Sequence, residues 1–259
     1  MNFRPLLCLF AASALFAASC GGGSSSTSNG VQKPPIFQNR DLQGDWIGSM
    51  AEDFGVETVA YLRCAANGYP YAGADGLGRD WLSEIPFSYA VVKPDGDVFL
   101  SYVVDREVFY LEGTMSRAGT LAGQYWTLFD GVLKEEGSFS FLRSAGSGSF
   151  TVVDHLAGSW TGSEQNQSGD LETVTLMLGP DGSILAGDRA GSVIDLNLSS
   201  SVLVFEDTNL GRIAPFDLVF TDGTTVQVDY ALVSDDGTAL EGPATDSLNG
   251  EVRLVFERG

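Results

Sequence analysis

The chain has 259 residues, 44% of them apolar, and a formal charge of −20 from 34 acidic against 14 basic side chains. That balance argues against nucleic acid as a partner, because phosphate binding needs clustered Lys and Arg. One His and three Cys leave no zinc-type ligand set, while length and apolar share suffice for two small domains with real cores.

At the start, Met1-Asn2-Phe3-Arg4 places a positive charge ahead of an apolar run from Leu6 to Phe16, followed by Ala17-Ala18-Ser19-Cys20. This predicts a signal peptide over 1–19. Small residues directly before a cysteine resemble the lipobox of bacterial lipoproteins, with Ala17 departing from the usual Leu. The resemblance implies that Cys20 is lipidated and opens the mature chain; ordinary cleavage near Ala18-Ser19 is the rival. Gly21 to Asn29 is almost purely Gly, Ser and Thr, a composition that predicts a flexible tether over 20–40. Gly21 rather than Asp after Cys20 resembles the outer-membrane sorting signal. No other apolar run reaches the roughly 20 residues that span a bilayer. The expected address is the outer membrane, with the protein lipid-anchored through Cys20 on the periplasmic face or the cell surface. Cys8 leaves with the signal, so Cys64 alone remains and no intramolecular disulfide is expected.

From residue 41 onward the chain reads as two copies of one module. Leu42-Gln43-Gly44-Asp45-Trp46-Ile47-Gly48-Ser49 returns as Leu156-Ala157-Gly158-Ser159-Trp160-Thr161-Gly162-Ser163, an offset of 114 residues. The copies also close alike, Gly137 to Arg143 in the first and Gly250 to Phe256 in the second. The predicted organisation is a first β-barrel-like repeat over 41–143, a linker over 144–155 and a second repeat over 156–259.

Asp-Gly at Asp75, Asp95, Asp130, Asp181, Asp222 and Asp236, and Asn-Gly at Asn67 and Asn249, punctuate both copies. These are hairpin signals, because both central residues of a type I′ turn need positive φ. Between them lie strand-length runs such as Asp97 to Val104, Glu107 to Leu111, Ser201 to Phe205 and Thr225 to Val233, the last with Val226, Val228, Tyr230 and Leu232 on one face. No stretch of ten residues has helical periodicity. Seven to eight short strands per copy predict an all-β fold with very little helix, as two tandem antiparallel up-and-down barrels. The copies differ most between Ala65 and Pro86, read as a long loop that carries Tyr69, Tyr71 and Trp81. Loops on rigid scaffolds concentrate recognition, and amphipathic aromatics are enriched at hot spots. These three residues are therefore the candidate ligand or partner contacts, with capping of a barrel end as the bland alternative.

Gly44-x-Trp46 and Gly158-x-Trp160, each opening a run of antiparallel strands, resemble the first-strand motif of lipocalin-type and avidin-type barrels. The resemblance implies that Trp46 and Trp160 plug closed barrel ends, with Gly44 and Gly158 part of the same core motif. It also implies that a basic residue of the last strand covers each tryptophan: Arg143 over Trp46, and Arg253 or Arg258 over Trp160. The second lipocalin motif and the C-terminal helix are missing, which puts a ligand cavity in doubt; eight strands are just enough for side chains to fill the interior.

Chemistry is sparse. His155 beside Asp154 lacks any accompanying nucleophile elbow, and the Asp-rich turns lack calcium-loop spacing. No catalytic residue, metal or cofactor is predicted. The expected function is noncatalytic: a membrane-anchored envelope module that binds a small apolar ligand or an envelope protein. The alternative is an extracytoplasmic hydrolase using Asp and Glu carboxylates at a barrel mouth.

Overall fold

Two alternating sets of side chains, one turned inward and one outward, shape the first eight strands. In the computed structural model, which describes residues 36–53, 55, 57–79, 87–104, 106–144, 150–166 and 169–259, these are β1 (Gly44–Glu52), β2 (Glu57–Cys64), β3 (Pro70–Asp75), β4 (Phe87–Val92), β5 (Asp97–Val104), β6 (Glu107–Met115), β7 (Thr120–Phe129) and β8 (Val132–Arg143). They form one antiparallel sheet in the order β3-β2-β1-β8-β7-β6-β5-β4, so that β1 closes against β8 and the seam lies between β3 and β4. The inward residues Leu62, Leu100, Tyr102, Phe109, Leu111, Leu121, Tyr125 and Phe141 are buried together with Trp46. Tyr102 stacks on Phe109 with centroids 4.9 Å apart. The barrel is filled by its own side chains.

The second copy repeats the start and finish of this plan and breaks up its middle. Its strands are β9 (Gly158–Asn166), β10 (Gly169–Leu178), β11 (Ile184–Arg189), β12 (Ser192–Val193), β13 (Phe205–Asp207), β14 (Arg212–Ile213), β15 (Phe216–Val219), β16 (Thr225–Val228), β17 (Ala231–Val233), β18 (Ala239–Asp246) and β19 (Gly250–Arg258). As β1 pairs with β2 and β8, so β9 pairs with β10 and β19. The run Ser201 to Phe205, expected as a strand, contributes only a bridge at Val202 and the first residue of β13. Thr225 to Val233 alternates as expected through Tyr230, but it is divided into β16 and β17, and Ala231, Leu232 and Val233 are all buried. Period-two patterning ends where both faces of a strand are covered.

The same rule explains β2. Ala60 and Leu62 face the first barrel's core, whereas Val59 and Tyr61, with Ile47 and Ala74, join the core of the second copy. The two barrels therefore lie side by side in one compact unit, 35–259, and β2 is buried on both faces. Helical structure among the described residues is a 3₁₀ turn at Asn39–Leu42 and a π turn at Val152–Leu156.

Most hairpins do not use the mirror-image turn that Asp-Gly suggests. Of the aspartates in these dipeptides only Asp130 has positive φ; elsewhere a four-residue turn ends on a left-handed glycine, as in Lys93 to Gly96 and Ser234 to Gly237. This is the type I turn with a following bulge.

Candidate functional site

The closed ends come first, because the repeated phrase builds them. Trp46 and Trp160 are fully buried, and each indole N–H donates to a carbonyl four residues upstream, Leu42 O and Leu156 O, at 2.8 Å in both cases. A cation covers each ring: Arg143 lies 4.7 Å from Trp46 and Arg258 lies 5.8 Å from Trp160. Both arginines are the register partners of the tryptophans they cover. Gly44 and Gly158 enter these strands at φ +122° and +134°, conformations closed to side chains. Of the two arginines left open for Trp160, Arg258 takes the place; Arg253 lies elsewhere.

At the opposite end each barrel encloses a second arginine, which the sequence reading missed. In the first, Arg79 follows β3 and pairs with Asp75, with Glu135 at 2.5 Å and with Glu107 at 3.9 Å, its guanidinium 5.4 Å from the Phe109 ring. Burial raises the Asp75 carboxyl even against Arg79. Burial also raises Glu52 beside it, with Glu135 adding repulsion, and takes the Tyr125 phenol up to about 12. In the second barrel Arg189 ends β11 and is only 2% exposed; it meets Glu164 at 3.0 Å, Asp246 at 3.0 Å and Glu172 at 2.7 Å, over Phe220 at 5.6 Å. Burial, reinforced by Asp246 and Glu172, outweighs the attraction of Arg189 and takes Glu164 up to about 7. An arginine at the end of the third strand in one copy and shortly after it in the other was the available signal, but its carboxylate partners come from several separate strands.

Between the barrels a third set of charges is buried. Glu241 accepts from Thr58 Oγ1 at 3.1 Å and from the Val59 amide, and it pairs with Arg253, which also donates to Glu57 O at 3.2 Å. Tyr230 donates to Asp75 O at 2.7 Å, and Arg63 bridges Asp45 at 2.9 Å to Asp207 at 2.7 Å. Beside this seam, near the open ends, lies a cleft of about 700 Å³. Glu52, Leu77 and Gly78 line it from one side, Asp229, Pro243, Glu251 and Arg253 from the other.

The segment 65–86 therefore has several roles. Pro70–Asp75 is not loop but strand, paired with β2. Tyr69 packs against the first core and lies 6.3 Å from Tyr89, whereas Tyr71 is 48% exposed. Gly76 abuts Glu241 and Gly78 abuts Pro243, so the segment also seals the seam between barrels. Trp81 and Cys20 lie outside the described residues. Cys64 is buried, which pushes its thiol up to about 12. His155 Nδ1 accepts the Thr151 amide at 3.0 Å, and the Asp154 carboxylate accepts the Thr151 hydroxyl at 2.6 Å; both serve the π turn. Among the described residues no group of three or more His, Cys, Asp or Glu is placed to hold a metal ion.

The sheets define the class: an all-β protein of two tandem antiparallel barrels. No protein-family model matches the chain, and no curated protein does. Among solved structures, an AttH candidate from Nitrosomonas europaea is 11% identical over 88% of this chain and 98% of its own, with a TM-score of 0.26. A protein of unknown function from the DUF3598 family of Nostoc punctiforme is 14% identical over 85% and 98%, with a TM-score of 0.23.

Proposed function

We propose that the protein is a noncatalytic module of the cell envelope, anchored on the outer membrane through a lipidated Cys20, that binds a small apolar ligand or an envelope protein. The observation that carries this reading is the filling of both barrels. Aromatic and aliphatic side chains occupy the interiors, and an arginine with its carboxylates closes each open end. Recognition is thereby directed to surfaces outside the barrels, among them the cleft that both barrels line.

Two measurements test the proposal. Mass spectrometry of the membrane fraction is expected to find an acylated N-terminal peptide beginning at Cys20; a soluble, unmodified chain would remove the anchor. Native mass spectrometry of protein released from the envelope is expected to find a bound small molecule that Leu77→Asp abolishes. Retention in that variant, with loss in Leu100→Ala, would move the ligand into the first barrel.

A further inference from the structure

The two copies differ in charge at one equivalent turn. Ser116-Arg117-Ala118-Gly119 joins β6 to β7, and Ser234-Asp235-Asp236-Gly237 joins β17 to β18. Both close with the glycine amide donating to the serine carbonyl, at 3.1 and 2.9 Å, and in both the serine hydroxyl accepts the amide four residues on. The turn itself thus asks for neither charge, yet the first copy carries a cation where the second carries two carboxylates. Each turn lies beside the arginine that covers its barrel's tryptophan: a Cβ on Gly119 would be 3.3 Å from Arg143, and one on Gly237 3.5 Å from Arg258. In the second copy that arginine serves two carbonyls, Asp154 O and Ala157 O. In the first, Arg143 donates to one, Asp41 O, and Arg117 joins it, donating to Ile36 O at 2.7 Å.

Arg117 and Arg143 line a common cleft of about 420 Å³ with Asp41, Ser116 and Ser144. Each guanidinium is also seated on an aromatic ring, Arg117 on Phe37 at 4.1 Å and Arg143 on Trp46 at 4.7 Å. A guanidinium has five donors, so these contacts fix both groups and still leave N–H groups for a ligand, at little further ordering cost. Asp41 is the one acid of the lining. Its Oδ2 accepts the Gln38 amide at 2.9 Å, and its Oδ1 is 3.7 Å from Arg117, beyond hydrogen-bond distance. Two cations against one carboxylate, in a chain of charge −20, draw an anion to this place. Two guanidinium forks match the several oxygens of a phosphate, whereas one suffices for a carboxylate.

We infer that the cleft at the closed end of the first barrel binds an organic phosphate, its oxygens shared between Arg117 and Arg143 and its polar body against Ser116 and Ser144. Phe37 lines the same cleft, so the segment that leads back to Cys20 departs from there, and a phospholipid headgroup is favoured over a soluble phosphate ester. The phosphate site stands on the arginines; its lipid source rests on the anchoring of Cys20 proposed above.

The test uses the full mature chain carrying Cys20→Ser, so that no acyl chain contributes. In calorimetric titration, glycerol 3-phosphate is expected to bind saturably at one site, and glycerate, its carboxylate counterpart, several-fold more weakly. Arg117→Gln is expected to weaken the phosphate about tenfold. Arg106→Gln, the same change of charge on the β5–β6 turn at the opposite end, is expected to leave it unchanged. Because Arg117 also lies on Phe37, Ala118→Asp supplies a second arm. It introduces the carboxylate that Asp236 carries in the second copy, leaves the Phe37 contact alone, and is expected to weaken the phosphate by a similar factor. Co-sedimentation with phosphatidylcholine vesicles, with and without phosphatidic acid, separates the sources: retention is expected only where phosphatidic acid is present, and is lost in Arg117→Gln. Glycerol 3-phosphate binding with no preference between the vesicles would overturn the lipid source and keep the site for a soluble ester. No saturable binding, equal binding of glycerate, or equal weakening by Arg106→Gln would overturn the site itself. An unmodified Cys20 in the intact protein would remove the anchor and leave the phosphate site standing.

Discussion

Two arginines that sit on tryptophans and two that sit among carboxylates do different work at the residue scale. Arg143 and Arg258 cover rings whose burial is the larger stabilising effect. Trp46→Ala or Trp160→Ala is expected to cost roughly 3–5 kcal/mol in denaturant unfolding, against about 0.5–2 kcal/mol for loss of the cation–π contact in Arg143→Met; equal losses would make the arginine, not the ring, the keystone. Glu164 titrates in the opposite sense to most acids. Its carboxyl keeps in the folded chain a proton that the unfolded chain releases near pH 4.5. Its stabilising contribution is therefore complete below about pH 4.5 and is lost as pH rises through about 7. Glu164→Gln is expected to flatten this part of a plot of Tm against pH, and an unchanged slope would show that Glu164 is ionised throughout. The tryptophans were legible because their phrase is local and repeated. The clusters around Arg79 and Arg189 were not, because each arginine's partners lie on other strands and Asp or Glu beside a turn looks like any solvated surface.

Glycine decides how closely the first and last strands of each copy approach. A Cβ on Gly48 would lie 1.8 Å from Ser140 O, and one on Gly162, the equivalent position, 1.9 Å from Val255 O. Each glycine lies two residues after its tryptophan, so the phrase carries both the plug and the close approach that seats it. Gly48→Ala and Gly162→Ala are each expected to destabilise by about 1–3 kcal/mol, as overpacking does, by prying β1 from β8 or β9 from β19. Hydrogen exchange should localise the change to those pairs; a uniform change across the sheet would contradict it. The segment 65–86 illustrates what an element's surroundings add. Its length and aromatics were visible in the sequence and suggested exposed recognition. Its strand pairing with β2, and its packing on Glu241 and Pro243 of the second barrel, are meetings that no local pattern announces.

The two barrels are coupled at the scale of the whole molecule by more than a tether. Val59, Tyr61 and Ile47 of the first complete the core of the second, and each buried side chain of this size contributes roughly 1.5–3 kcal/mol. Scanning calorimetry is accordingly expected to record one cooperative transition. Glu241→Ala leaves Arg253 buried without its counter-charge, a change that typically costs 3–5 kcal/mol. It is expected to split the trace into two transitions, the second barrel unfolding first; a single transition at an unchanged Tm would show that the seam carries little of the stability.

The sequence by itself determined what depends on near neighbours: the duplication, the all-β character, the turn positions, and the tryptophan at the head of each copy. The resemblance to lipocalin-type and avidin-type barrels implied that a basic residue covers each ring, but left Arg253 and Arg258 as equals for Trp160. Only the tertiary structure decided between them, because register across β9 and β19 sets Arg258 opposite Trp160 and sends Arg253 to the seam. It likewise decided that β2 is buried on two sides, that the carboxylates near the open ends are bound to arginines, and that a cleft separates the barrels there. Each of these is a meeting of residues far apart in the chain, and the alternation of a strand records which face a residue takes without recording what that face will meet.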